Sequence, residues 1–233
     1  MLLTLPIREV LPATPRSRVL RIDLRGERFS YLPGQAVRVA THAHEMRRSY
    51  SLAAAPEDAE RDGCLELLVG MNAEGTAGSH LALDPGTLVD VEGPLGRFTF
   101  PIHLDIERFL FIAGGSGVAP LRAMLRHALH VPHRHIGVLY SARTLSDFAY
   151  ESELRDLARD GLIELRQTVT REDASGHWGG ARGRIGRAEL APLVHDPATL
   201  CFICGPPALV HDMPKLLGEF GVPSDRIRIE ERG

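Results

Sequence analysis

The chain has 233 residues, 44% hydrophobic and 24% charged, and 27 Lys+Arg against 30 Asp+Glu leave a formal net charge of −3. Such a composition excludes a disordered chain and is long enough for one or two modest cores, while the near-balanced charge excludes a global field that would hold nucleic acid. Pro6, Arg8 and Glu9 interrupt the opening apolar run before it reaches signal-peptide or spanning length, so no membrane insertion is expected. Three cysteines (Cys64, Cys201, Cys204) are too few for a disulfide framework or a four-thiolate cluster, and a cytoplasmic location is expected.

In chain order, the first hundred residues carry short alternating runs, such as Arg18 to Leu24 and Cys64 to Val69, separated by turn signals at Pro33-Gly34, Asp62-Gly63, Asp84-Pro-Gly86 and Gly93-Pro94. This pattern predicts about six antiparallel strands in a barrel or sandwich. After Pro101 the pattern changes. Phe109-Leu-Phe-Ile-Ala113 reads as a buried strand, a glycine-rich turn follows, and Leu121 to Leu129 has helical spacing. Further strands are expected over 135–140, 163–167 and 200–204, and helices over 150–158 and 208–220. Alternating strand and helix predicts a doubly wound parallel sheet. The boundary is placed after residue 103, giving a β domain over 1–103 and an α/β domain over 104–233.

Gly114-Gly115-Ser116-Gly117 lies between a strand and a helix, where backbone N–H groups and the helix N-terminus can approach a pyrophosphate unobstructed by Cβ atoms. Pro120 presets the first helical turn. A tight strand-to-helix turn with no ligand is the plain alternative. The glycine spacing departs from the usual dinucleotide fingerprint, and Tyr140-Ser-Ala-Arg143 stands where an acidic residue would end the next strand. An arginine there suits a ribose 2′-phosphate, so NADPH is expected over NADH. Arg171 and Arg184, each following a predicted strand or loop, are expected to join Arg143.

Four motifs then carry a resemblance. Arg48-Ser-Tyr-Ser-Leu52, Gly93-Pro-Leu-Gly-Arg-Phe98, the Gly114 to Pro120 loop and Cys204-Gly205-Pro206 occur in the order found in the ferredoxin-NADP reductase superfamily, which this sequence resembles over nearly its whole length. The resemblance implies a six-stranded flavin-binding barrel followed by a nicotinamide-nucleotide domain. It implies that Arg48 pairs with the flavin pyrophosphate, that Tyr50 lies against the isoalloxazine, and that Ser51 hydrogen-bonds near flavin N5. Gly78 and Ser79 of Gly75-Thr-Ala-Gly-Ser-His-Leu81 resemble a phosphate cradle at a helix start, with a simple N-cap serine as the plain alternative.

Cys204 takes the place of the cysteine beside the nicotinamide. Although Cys201 and Cys204 spell Cys-x-x-Cys, residues three apart on a strand face opposite ways, so a redox disulfide is not expected. The family also implies a carboxylate near the end, for which Glu230 is chosen over its neighbour Glu231; Arg232 stands where many members have a covering aromatic ring. Without that ring, nicotinamide and oxygen are expected to reach the flavin directly.

The implied cofactors are FAD, with FMN less favoured, and NADPH, with NADH possible. Hydride passes to the flavin and single electrons leave for a separate acceptor such as a ferredoxin, a flavodoxin, an oxygenase component, a haem protein or free flavin. A ferric or free-flavin reductase, and a non-autonomous electron-transfer subunit, are the alternatives. No metal site is expected: His127, His130, His133 and His135 cluster, but no cysteine or carboxylate group completes them in sequence. His177 and Trp178 read as a surface loop tip with adenosine contact as the alternative.

Overall fold

The computed structural model describes residues 1–102, 105–172 and 178–231. They fall into two compact units, Met1–Phe100 with Arg122–His127, and Pro101–Leu121 with Ala128–Gly233. Among the described residues no helix is long and apolar enough to cross a membrane.

The first unit is built on six antiparallel strands: β1 (Leu2–Thr14), β2 (Ser17–Asp23), β3 (Ala36–Thr41), β4 (Arg48–Ser51), β5 (Cys64–Gly70) and β6 (Leu88–Leu95), in the order β4-β3-β6-β1-β2-β5. The two ends of that order meet. Leu52 bridges Leu67, and the Ala53 N–H donates to Glu66 O at 2.8 Å, which closes the sheet into a barrel and leaves no open edge there. Inward-pointing Leu20, Ile22, Val37, Val39, Leu65, Leu67, Val89 and Val91 fill the interior, as period-two alternation requires. A short helix absent from the sequence reading, α1 (Pro56–Asp62), starts on its own proline and ends at Gly63 in the left-handed conformation.

The second unit is a parallel sheet of β7 (Arg108–Gly114), β8 (His135–Ala142), β9 (Glu164–Val169), β10 (Ala181–Arg182), β11 (Leu200–Gly205) and β12 (Ile227–Glu231), ordered β10-β9-β8-β7-β11-β12. Its helices are α2 (Val118–Ala128), α3 (Glu151–Arg159), α4 (Arg187–Leu190) and α5 (Pro207–Glu219). Every residue from Phe109 to Gly114 is buried, which is why β7 reads as an unbroken apolar run. Strand order reverses between β7 and β11, and in such sheets ligands bind at the carboxyl ends of the strands flanking that reversal.

Strands β10 and β12 are additions to the sequence reading. The first has only two residues, and the second, Ile-Arg-Ile-Glu-Glu, is a half-exposed edge whose polar content hides it. Trp178 is a correction: it is no surface tip. Its ring is buried against Phe148, centroids 5.7 Å apart, and its Nε1–H donates to Ala181 O at 2.8 Å. A large apolar ring with one polar handle is readily buried once that handle has a carbonyl partner. His177 lies outside the described residues.

Candidate active site

In the barrel unit the arginine-tyrosine-serine segment is β4 itself. Arg48 and Ser49 are exposed, Tyr50 is partly buried and Ser51 is buried, so burial increases along the strand. Tyr50 Oη and His80 Nε2 are hydrogen-bonded at 2.7 Å. Their rings are nearly parallel (13°) with centroids 6.1 Å apart, a separation that joins them end to end instead of face to face. Gly78, at φ +95°, brings the turn close: a Cβ there would stand 3.3 Å from His80 Nδ1 and 3.9 Å from Arg48 Nη1. Arg48, Tyr50, Gly78 and His80 are thereby gathered in one place.

His80 is absent from the sequence reading, although it sits inside the quoted Gly75–Leu81 segment. Its ring is buried, and among the described residues its Nδ1 has no hydrogen-bond partner. A buried orphan nitrogen beside a guanidinium and a left-handed glycine fits a polar, anionic ligand. Burial and the neighbouring Arg48 charge push the His80 imidazole below its ordinary range, so it is held neutral; burial raises the Tyr50 phenol, Arg48 partly offsetting it. Ser79 departs from expectation. No helix starts there; residues 79–80 form a turn, with the Leu81 N–H donating to Gly78 O at 3.3 Å, so the serine caps nothing.

In the second unit the glycine loop has two jobs, divided by residue. A Cβ on Gly117 would lie 2.2 Å from Cys204 O, one on Gly114 2.7 Å from Pro206 Cδ, and one on Gly205 3.0 Å from Gly114 Cα. These three let the ends of β7 and β11 close against each other. Gly115 (φ +54°) and Ser116 are instead exposed, at the head of α2, and Pro120 is buried in that helix's first turn. The wholly buried Tyr140 fixes the loop from below, its hydroxyl donating to Gly115 O at 3.1 Å. The N-terminus of α5 also opens here, directly after Pro206, so the starts of two helices, with the positive ends of their dipoles, follow the carboxyl ends of β7 and β11. That arrangement accommodates a pyrophosphate.

Register sets the two terminal glutamates apart. Cys204 pairs with Glu230, and Gly205 with Glu231, so the Cys204 and Glu230 side chains share a face; Cys204 Sγ lies 4.0 Å from Glu230 Oε2. The three cysteines are buried and none is in a disulfide, and burial pushes the Cys201 thiol up to about 12. Arg232 lies outside the described residues.

The three arginines lie one or two residues beyond the ends of the neighbouring strands β8, β9 and β10. The Arg171 N–H donates to Arg143 O at 2.7 Å, extending the β8–β9 ladder, and the Gly183 N–H donates to Val169 O at 2.8 Å, which sets Arg184 beside it. All three side chains are exposed. Three of the four clustered histidines turn to separate partners: His127 meets Glu57 at 2.7 Å, His133 bonds Val131 O at 2.8 Å, and His135 faces Glu164 at 3.4 Å.

Comparison with known proteins bears on both units. Residues 5–100 match the oxidoreductase FAD-binding domain family and residues 111–215 the oxidoreductase NAD-binding domain family. A "Ferredoxin--NADP reductase B" of Sorangium cellulosum is 35% identical over 234 residues, covering 95% of this chain and 93% of that protein. The chain belongs to the ferredoxin-NADP reductase superfamily. As a member of this superfamily it is a flavoprotein oxidoreductase whose cofactors are FAD and a pyridine nucleotide. The ferredoxin reductase component of a Mycolicibacterium smegmatis 3-ketosteroid-9-alpha-monooxygenase is 30% identical across 98% of this chain, which spans 65% of that longer protein. In structure, an Amycolatopsis cytochrome P450 reductase superposes with a TM-score of 0.84 at 26% identity, over 99% of this chain and 69% of that one.

Proposed function

We propose that this chain is an NADPH-dependent reductase that passes electrons, received as hydride, singly to a separate acceptor protein. Residues 1–103 hold FAD and residues 104–233 hold the nucleotide. Bound FAD supplies the conversion from a two-electron donor to one-electron steps. The observation that carries the reading is the glycine-closed reversal point of the parallel sheet, with Cys204 and Glu230 side by side on one face and two helix starts opening onto it.

The family resemblance then assigns each residue a task that its surroundings suit. Arg48 offers a guanidinium fork to the flavin pyrophosphate, and Gly78 and Ser79 give the backbone room around it. Tyr50, held by neutral His80, presents a ring of fixed orientation to the isoalloxazine, and Ser51 directs its hydroxyl toward N5. Gly115 and Ser116 offer N–H groups to the nucleotide pyrophosphate; Gly114, Gly117, Pro120, Gly205 and Pro206 shape the crevice around it. Cys204 and Glu230 line the nicotinamide position, and no proton need move through either. Donor and acceptor atoms have to come within about 3–3.5 Å, so the protein's contribution is positioning. Arg143, Arg171 and Arg184 make a cationic group suited to a 2′-phosphate, which favours NADPH over NADH.

A ferredoxin, a flavodoxin or an oxygenase component fits as the acceptor, in keeping with relatives described as reductases of such systems. Three buried, unbridged cysteines suit the reducing cytoplasm. The test is anaerobic mixing of the FAD-loaded protein with NADPH and, separately, NADH, while the flavin band is followed. Fast bleaching by NADPH with slow bleaching by NADH is expected; failure to bind flavin sinks the reading.

A further inference from the structure

At the amino ends of the parallel strands, opposite the glycine loop, three side chains from distant parts of the sequence meet on one carboxylate oxygen. His135 opens β8, Glu164 opens β9, and His195 lies between α4 and β11. Glu164 is in register with Gly137, two residues from His135 and therefore on the same sheet face. Gly137 sits among these groups: a Cβ there would be in ordinary contact with His135 Cε1 at 3.4 Å and Leu193 Cδ2 at 3.5 Å, and would crowd Leu110 Cδ1 at 3.1 Å.

His195 Nε2 and His135 Nε2 lie 3.3 and 3.4 Å from the same Glu164 Oε2, and the three donor atoms are all within 4.8 Å of one another. Both contacts are hydrogen-bonded ion pairs at the long end of the range. Charge-assisted N–H···O⁻ bonds close to about 2.7–2.9 Å. Donors on a tetrahedral ion at about 2.0–2.2 Å stand about 3.3–3.6 Å apart, which the two nitrogen–oxygen distances match, while the two imidazoles pack edge to face with centroids 4.6 Å apart. The remaining details are consistent with coordination. Arg166 Nη2 sits 3.5 Å from the other carboxylate oxygen, Oε1, leaving Oε2 toward the imidazoles. His135 and Glu164 are partly buried while His195 is exposed, which supplies an entry path and room for water ligands.

We propose that His135, Glu164 and His195 form a binding site for a divalent first-row transition-metal ion, with zinc the best match to two imidazoles and one carboxylate. The ion ties together the starts of β8 and β9 and the segment leading into β11. It lies at the end of the sheet away from the nucleotide loop, so it acts on the stability of this unit and not on hydride chemistry.

The experiment is calorimetric titration of the intact, FAD-loaded protein with ZnCl2, repeated on His195→Ala and Glu164→Gln, with thermal unfolding of each. One zinc per chain and a zinc-dependent rise in Tm are expected for the parent. Each variant is expected to bind at least about tenfold more weakly, since loss of a direct ligand costs no less than the 10–100-fold of an outer-shell partner. In Cu2+-loaded samples, nitrogen hyperfine structure in the electron paramagnetic resonance spectrum should fall from two nitrogens to one in His195→Ala. Because His195 is exposed in a connecting segment, that variant should fold, and its flavin spectrum checks this. The inference is overturned if the parent binds no zinc, or if His195→Ala binds it as tightly as the parent.

Discussion

Cys204 Sγ stands 4.0 Å from Glu230 Oε2 because the two residues are paired in register on adjacent parallel strands. Glu231, one residue on, faces the other side of β12. If this pair positions the nicotinamide, Cys204→Ala and Glu230→Gln each slow flavin reduction by about 10–100-fold, the order of loss expected from slight misplacement of reacting atoms. KM for the nucleotide should hardly change. Stopped-flow reduction is the measurement, with Glu231→Gln as the control; an equal loss in that variant would discredit the register argument.

Arg143, Arg171 and Arg184 lie one or two residues beyond the ends of adjacent strands with their side chains in solvent. Replacing any one by Ala is expected to raise KM for NADPH by about tenfold or more, a charge-assisted hydrogen bond being worth about 1.5–3 kcal/mol. KM for NADH, which has no 2′-phosphate, should stay within about twofold. Parallel shifts for both nucleotides would remove the arginines from the specificity argument.

Gly117→Ala tests the closure of β7 against β11. Its Cβ would be 2.2 Å from Cys204 O, a backbone atom that cannot rotate aside. We expect a loss of about 1–3 kcal/mol in stability, read as a lower Tm, together with weakened nucleotide binding. Gly115→Ser, by contrast, meets no atom within 4 Å, and its cost comes from a φ of +54° alone.

Asp90 governs acid stability of the barrel. Burial pushes its carboxyl up, but hydrogen bonds from His42, Thr4 and Arg47 outweigh this and hold it at about 2, below its ordinary value of 3.8. A depressed folded value means that the stabilisation is complete above about pH 4 and is lost as pH falls through about 2. At neutral pH it amounts to about 2 kcal/mol. Asp90→Asn should therefore unfold more readily at pH 7 and approach the parent in strong acid; a deficit independent of pH would sink the assignment.

His80 is hydrogen-bonded to Tyr50 Oη at 2.7 Å and held neutral by burial and by Arg48. His80→Leu leaves the phenol without that partner, and flavin affinity should fall about tenfold, in line with about 1–3 kcal/mol for a buried polar group left unpaired. Because the imidazole is already neutral, flavin affinity of the parent should have no break near the ordinary histidine pKa of about 6.5. Equilibrium titration with FAD across pH checks both statements.

Local order was enough for much of this protein. Alternation in runs such as Arg18 to Leu24, the unbroken apolar stretch Phe109 to Ala113, and turn residues between them establish a β half followed by an α/β half, since period and punctuation are properties of neighbouring residues. The same holds for the four motifs, whose order along the chain carries the family. What depends on strand pairing was not legible. The choice of Glu230 over Glu231 needs the β11–β12 register, and the barrel's closure needs the bridge from Leu52 to Leu67. His80 needs a turn that folds it back onto Tyr50, thirty positions earlier in the chain. The meeting of His135, Glu164 and His195 needs two strand starts and a connecting segment brought together by a parallel sheet. Residues tens of positions apart carry no local signature of their contact, because that contact is created by hydrogen-bond register and burial across the sheet, which only the folded chain possesses.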